Sequence, residues 1–244
     1  MTAMSRQQKR EQRESEIIQG TLQLLQEKSF LDLKMSEVAQ VAECSMGAIY
    51  SHFSSKEDLL LGCALDIMRN QVIVLHKALE VPSEPLEQLL LATFCCIIWD
   101  EQQPANYALN QLAMNPCVWQ RASSHRNNAM NQEIEKIDFL VQNIATKVLE
   151  HDSPAHASDD NTKSLYLGLI SISHGYFMIR SSGYGEFTTI QNGSGVAEAQ
   201  NLYLLSVKSY LAGWGLAETN SLDDLHSLYR SAESLVLAQI SQTS

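Results

Sequence analysis

From Ile17 onward the apolar residues recur at helical spacing, and runs that alternate apolar and polar over the length of a strand are nearly absent. This confines the chain to an all-α fold, in which helices bury their apolar stripes against one another. Ile17, Ile18, Thr21, Leu22, Leu24 and Leu25 form the first stripe, predicting a helix over 6–28. Met35, Val38, Ala39 and Ala42 form a second over 34–42, and a third short helix covers 45–53. Ser54 and Ser55 offer a cap for a fourth, with Glu57 and Asp58 in its first turn, where acids suit the helix dipole. That helix is expected to reach Leu79, before VPSEP breaks the pattern. A strongly apolar helix follows over 86–100, and Pro104 and Pro116 read as first-turn prolines of two more, the second running to Glu150. HDSPAHASDD reads as a loop and SSGYGEFTTIQNGSG as a flexible connection, with helices over 163–180, 196–214 and 222–240. The expected architecture is a small N-terminal bundle and a larger C-terminal one.

The first 60 residues hold 7 Lys and Arg against 9 Asp and Glu, and the rest hold 10 against 19, so the formal charge of −11 lies mostly in the C-terminal part. That balance excludes a uniformly basic nucleic-acid coat but not a DNA-reading module, whose electrostatic footprint is local. The five cysteines, Cys44, Cys63, Cys95, Cys96 and Cys117, form no C-x-x-C pair and are odd in number, against a zinc ribbon or a disulfide framework. They read as packing residues of a reduced, cytoplasmic protein. The chain starts without a signal-peptide pattern, and no uninterrupted apolar run approaches the roughly 18 residues of a membrane span. No membrane partner is expected.

Three short helices followed by a long one suggest a helix-turn-helix module. In the third, SMGAIYSHF, Ile49 and Phe53 share the inward face, and Gly47 and Ser51 lie opposite, flanked by Ala48 and Tyr50. Gly47 stands in the first turn, where glycine is about 1 kcal/mol less favourable than alanine. A solvated face would carry Lys, Glu or Gln, and this one carries none. A leading edge so small suits entry into a DNA major groove, with Tyr50 and His52 placed to donate to phosphates and Lys56 beside the free N–H groups of the next helix.

The run FLDLKMSEVAQVAECSMGAIYSHFSSKEDLL resembles the DNA-binding domain of TetR-family transcriptional regulators, most specifically at Val38-Ala39, Ala42, Ser45, Gly47, Ile49-Tyr50, Phe53, Lys56-Glu57 and Leu59-Leu60. The close resemblance covers about the first quarter of the chain. It departs at Ser29 and Glu43, where the family usually has glycine; a left-handed backbone at either would be strained by on the order of 1 kcal/mol. Leu33 and Lys34 replace the usual cap of the second helix, leaving Asp32 or Ser36 for that role, and Met46 replaces a common lysine or proline.

The resemblance implies a DNA-binding domain over 1–57 and a ligand-binding and dimerisation domain over 58–244. It implies that Ser45, Met46, Gly47, Ala48, Tyr50, Ser51 and His52 face double-stranded operator DNA, with Lys56 on a phosphate and Arg6, Lys9, Arg10 and Arg13 as a basic arm. It implies a homodimer through late C-terminal helices, for which Leu165, Leu169, Ile172 and Tyr176 on one helix and Leu202, Leu205, Ser209 and Ala212 on the next are the faces expected. An unidentified small-molecule effector would bind among Phe94, Ile98, Trp99, Tyr107, Trp119, His125, Tyr166, His174 and Phe177. No catalytic, cofactor or metal motif is present: G-x-S-x-G, Walker, H-E-x-x-H and Rossmann signatures are all absent. The expected function is a repressor released by its effector, with an activator or a protein–protein adaptor on the same fold as alternatives.

Overall fold

The computed structural model describes residues 5–181, 195–216 and 221–243, which contain helices and turns and no strand. Among them the helices run α1 (Arg6–Glu27), α2 (Met35–Val41), α3 (Met46–His52), α4 (Lys56–Glu80), α5 (Pro85–Gln102), α6 (Pro104–Ala113), α7 (Pro116–Arg121), α8 (Ser124–Asp152), α9 (Asp159–Ser181), α10 (Gly195–Gly213) and α11 (Leu222–Thr243). The all-α class is borne out, with the three short helices where the apolar stripes put them. Residues 182–194 of the expected flexible connection lie outside the described residues.

Two expectations about element boundaries are corrected. The helix expected from Pro116 to Glu150 is two, broken at Ala122-Ser123. Ser123 donates from both its N–H and its Oγ to the Asp58 carboxylate, at 3.0 and 2.9 Å, and its Oγ accepts the Arg126 N–H at 3.3 Å. A serine serving as a cap thus starts a new helix. The expected loop HDSPAHASDD holds the end of α8, one 3-10 turn at Pro154–His156 and the start of α9. Ser158 accepts the Asn161 N–H at 3.3 Å, and Asp159 and Asp160 fill the first turn.

The chain divides into two compact units. The first takes in Met1–Asn70 and Gln103–Glu135. Its core joins Ile17, Val38, Ile49, Phe53, Leu59 and Leu60 to Leu109, Ala113 and Met130, with Val118 and Trp119 packed at its edge. The second unit takes in Gln71–Gln102 and Lys136–Ser244. Its centre is α5, apolar on nearly every side and buried from Leu86 to Asp100 but for Glu87, Gln88, Thr93 and Cys96. At the end of α5, Glu101 ties three helices: it accepts from Tyr229 of α11 at 2.8 Å, from Tyr176 of α9 at 3.4 Å, and from Arg180 of α9. Tyr176 stacks on Tyr203 of α10 at 4.7 Å between centroids, and the Tyr203 and Ser173 hydroxyls share a hydrogen bond of 2.9 Å. Among the described helices α4 has the length and mean hydropathy, 1.3, of a membrane span, but 61% of that window is buried in the fold.

Helices α9 and α10 approach closely at Gly168, where an added Cβ would overlap the hydroxyl and ring of Tyr210. That hydroxyl donates to the Ser164 carbonyl at 2.7 Å. Gly175, two turns on, has nothing within 4 Å of its Cβ position. Gly168→Ala is therefore expected to destabilise the protein by about 2 kcal/mol, overpacking outweighing the gain in helix propensity, whereas Gly175→Ala is neutral or stabilises by up to about 1 kcal/mol. Paired urea-unfolding curves read both.

Candidate nucleic-acid interface

Helix α3 is two turns long, too short to hold by itself in water. Ile49 and Phe53, both fully buried, fix its inward face. Ser45 caps its start, accepting the Ala48 N–H at 3.1 Å. The opposite face presents Met46, Gly47, Tyr50 and Ser51, with Tyr50 55% exposed, while Ala48 is half-buried. Ser51 Oγ donates back to the Ala48 carbonyl at 2.7 Å. A Cβ at Gly47 would meet only Ser45 Oγ, at 3.7 Å, so no packing inside the chain requires glycine there.

The other expected DNA-facing groups are placed differently. The His52 side chain is 7% exposed, with Nδ1 3.5 Å from Glu14 Oε2, so it points toward α1. Arg10 Nη2 donates to the Ser51 carbonyl at 3.1 Å and Arg13 Nη1 to the Ala42 carbonyl at 3.2 Å. Both guanidiniums thus sit at the C-terminal ends of α3 and α2, where cations suit the dipole. Lys56 Nζ donates to the Leu31 carbonyl at 3.2 Å and lies 4.5 Å over the Phe30 ring. Arg6 and Lys9 are exposed on the first turns of α1.

The turn between α2 and α3 answers the question raised by its missing glycine. Glu43 takes φ 47°, the left-handed conformation that glycine adopts without strain. The Cys44 N–H reaches the Ala39 carbonyl at 2.9 Å and the Glu43 N–H the Gln40 carbonyl at 3.2 Å, the paired bonds of a Schellman ending. Glu43 is the one non-glycine with positive φ among the described residues, so Ser29 carries no such strain. Neither Asp32 nor Ser36 caps α2. Instead Glu37 reaches back to the Lys34 N–H at 3.1 Å, and Lys28 holds its other oxygen at 2.9 Å, which keeps its pKa below the ordinary carboxylate value.

Asp58, 2% exposed, sets the junction behind α3. Its carboxylate accepts from the Ser54 N–H and hydroxyl, at 2.9 and 3.2 Å, as well as from Ser123. Burial alone would raise its pKa, but these hydrogen bonds and the nearby Arg126 charge outweigh it and hold the group below its ordinary value. Arg126 is 5% exposed and pairs with Glu14 of α1 at 2.8 Å. Asp58, Ser123, Glu14 and Arg126 are not legible in the sequence as site residues. The pairs they form are up to 112 positions apart, and no local pattern carries that information.

The nine residues expected at an effector site divide between the units. Tyr107, Trp119 and His125 belong to the first: Tyr107 is buried, Trp119 donates to the Ala113 carbonyl at 2.8 Å, and His125 is exposed. In the second, Phe94, Ile98, Trp99, Tyr166 and Phe177 are core side chains and His174 is exposed. Phe94 packs its ring against Tyr203 and Tyr229, at 6.0 and 5.5 Å. A cleft of about 230 Å³ between α9 and α10 is lined by Ile172, Tyr176, Ile179, Arg180, Leu202, Tyr203 and Ser206, none of them among the nine. It is smaller than the roughly 300 Å³ at the lower end of ligand sites. Cys63 and Cys95 are buried, and burial pushes their thiols up, as it pushes Cys96 up to about 12, which suppresses thiolate chemistry. Cys117 is exposed and so departs from the packing role.

Residues 17–63 match the family model described as bacterial regulatory proteins, tetR family. The match covers the segment whose residues carry the resemblance. No curated protein matches the chain. Among solved structures, a chain described as a tetR family transcription regulator from Shewanella sp. PV-4 superposes with a TM-score of 0.53 at 16% identity, over 78% of this chain and 95% of that one. A tetR-family transcriptional regulator from Streptomyces coelicolor gives a TM-score of 0.50 at 16% identity, over 92% of this chain and 89% of that one. At that identity the two likenesses speak for the fold.

Asp58→Asn tests the junction. Because the folded pKa of Asp58 is lowered, its contribution is present above the unfolded value of about 4 and is lost as pH falls through the folded value. The variant is expected to lose about 1–3 kcal/mol at pH 7, and the gap from wild type to narrow below pH 4 in urea-unfolding series.

Proposed function

We propose that this chain, whose N-terminal segment belongs with the tetR family of bacterial regulators, is a sequence-specific DNA-binding transcriptional regulator. It acts as a homodimeric repressor that an unidentified small-molecule effector releases from double-stranded operator DNA. Residues 1–57 carry the DNA-reading function, and 58–244 the effector-binding and dimerisation functions. The observation that carries the DNA-reading part is Gly47: a helix-weakening residue on an outward face, with open space where its side chain would be. Nothing within the chain gains from it, whereas a duplex backbone or base edge at close range would. Ser45, Met46, Ala48, Tyr50 and Ser51 complete that face, Arg6 and Lys9 are exposed basic groups on the first turns of α1, and the protein works in the cytoplasm without membrane, cofactor or metal. The effector rests on the family resemblance. It would act by favouring an arrangement of the two recognition helices that misfits successive major grooves, about 34 Å apart.

The dimer is supported by apolar surface on two late helices. On α10, Leu202 and Leu205 are 51% and 44% exposed, in line with the exposed Ser209 and Ala212. On α9, Leu165 and Leu169 are buried in the chain's own core, so the open stripe is Leu167, Ser171, His174 and Met178 rather than the face the sequence suggested.

One observation favours the adaptor reading: Arg10, Arg13 and Lys56, expected at the duplex, all donate to backbone carbonyls instead. Salt separates the two, because phosphate contacts release counterions. Fluorescence anisotropy on DNA from upstream of the protein's own gene, and on duplexes from a random-sequence selection, is expected to show tight selective binding that weakens steeply with salt. Tyr50→Ala should weaken it at least tenfold. Gly47→Ala should raise stability by up to about 1 kcal/mol while weakening DNA binding. Binding no better than to scrambled DNA would leave the adaptor. Leu205→Glu is expected to sediment as a monomer with unchanged helical content and to lose at least tenfold in operator affinity; a variant that stays dimeric would move the interface elsewhere.

A further inference from the structure

We propose that Arg126 is a positioning residue for the recognition helix: it links the start of α8 to the C-terminal end of α3 through Glu14 and Phe53. This rests on the DNA-binding function proposed above. It assigns that function an input from residues beyond the segment that matches the family model, within the same compact unit.

A buried arginine is stable only when its charge is met. Arg126 Nη2 meets Glu14 Oε1 of α1 at 2.8 Å, and its guanidinium lies 5.1 Å over the ring of Phe53, the residue that ends α3. Its Nε is buried with no hydrogen-bond partner, which leaves the Glu14 ion pair and the Phe53 ring, with the Asp58 charge nearby, to hold the guanidinium. The second Glu14 oxygen lies 3.5 Å from His52 Nδ1, in the last turn of α3. One carboxylate of α1 therefore faces both the arginine of α8 and the end of the recognition helix. Gly62 of α4 leaves the room: a Cβ there would stand 2.9 Å from Phe53 Cε1 and 3.5 Å from Arg126 Cζ.

The charged groups gathered at this end of α3 are Glu14 and Arg10 from α1, Asp58 from α4 and Arg126 from α8. Ser123, one residue before α8, is itself fixed by two hydrogen bonds to Asp58. A shift of the first turn of α8 against α1 and α4 would thus pull Arg126 from the Phe53 ring or Glu14 from His52. Either change alters where α3 ends and how its outward face is presented, without touching a DNA-facing residue.

The test separates positioning from mere stability. A loss of folded protein lowers affinity for operator and for scrambled DNA by the same factor. A misplaced recognition helix lowers operator affinity while the salt-dependent affinity for scrambled DNA persists. Full-length wild type, Arg126→Gln, Arg126→Lys, Glu14→Gln and the Arg126→Gln/Glu14→Gln double variant would be titrated by anisotropy on both duplexes, with circular dichroism to confirm folding. We expect the operator-to-scrambled ratio to fall about tenfold in Arg126→Gln and in Glu14→Gln, no further in the double variant, and less in Arg126→Lys, which keeps the charge. If Arg126→Gln does not fold, Arg126→Lys and Glu14→Gln carry the comparison. An unchanged ratio, a common factor on both affinities, or effects that multiply in the double variant would overturn the proposal. Failure of the DNA-binding function itself is read from wild type alone, as no discrimination on any selected duplex.

Discussion

The first unit depends on one buried carboxylate. Asp58 lies at the start of α4 and binds the Ser54 backbone on one side and the Ser123 backbone on the other. Helices α2 and α3 have seven residues each, well below the roughly 12–15 at which helices persist in water. They exist because their inward faces are packed, and packing needs a fixed frame. Asp58 supplies it by closing the turn behind α3 on its Oδ2 and seating the start of α8 on its Oδ1. Its four accepted hydrogen bonds offset the penalty of removing a charge from water, so the buried acid remains ionised.

What the sequence made legible follows from the range of the forces involved. Ile17, Ile18, Leu22 and their successors specify helices through spacing along the chain, so element order and class could be read directly. Gly47 and the acids after Ser55 could be read for the same reason. Ser123 is not legible as a cap, because a serine inside a helical run becomes one only when something takes its N–H and hydroxyl, and Asp58 is 65 residues away. The orientation of His52 and the carbonyl contacts of Arg10, Arg13 and Lys56 were equally hidden. A basic residue at the edge of a helix reads as solvent-facing until the tertiary partner is known.

Strain and stability are distributed unevenly around α3. Glu43 holds a left-handed backbone where glycine would rest without strain, and Gly47 holds a helical one where alanine would be better. Exchanging those two preferences would give a more stable protein. A glycine on the outward face rather than in the turn is what the DNA-reading role proposed for that face would favour.

The second unit adds buried polar links to the apolar core of its late helices and leaves some of their apolar side chains outside. Glu101, Tyr176, Tyr229 and Arg180 turn their polar atoms inward to join α5, α9 and α11, and the Ser173–Tyr203 bond does the same for α9 and α10. Leucines 167, 202 and 205 and Met178 turn outward. Polar groups fix the mutual orientation of helices because hydrogen bonds are directional, and apolar surface supplies affinity without direction. An interior fixed by directional bonds can display an apolar stripe without the helices rotating to hide it. That rigidity is what a symmetric pairing of two α10 helices would need, since a self-complementary interface forms only when both copies present the same face.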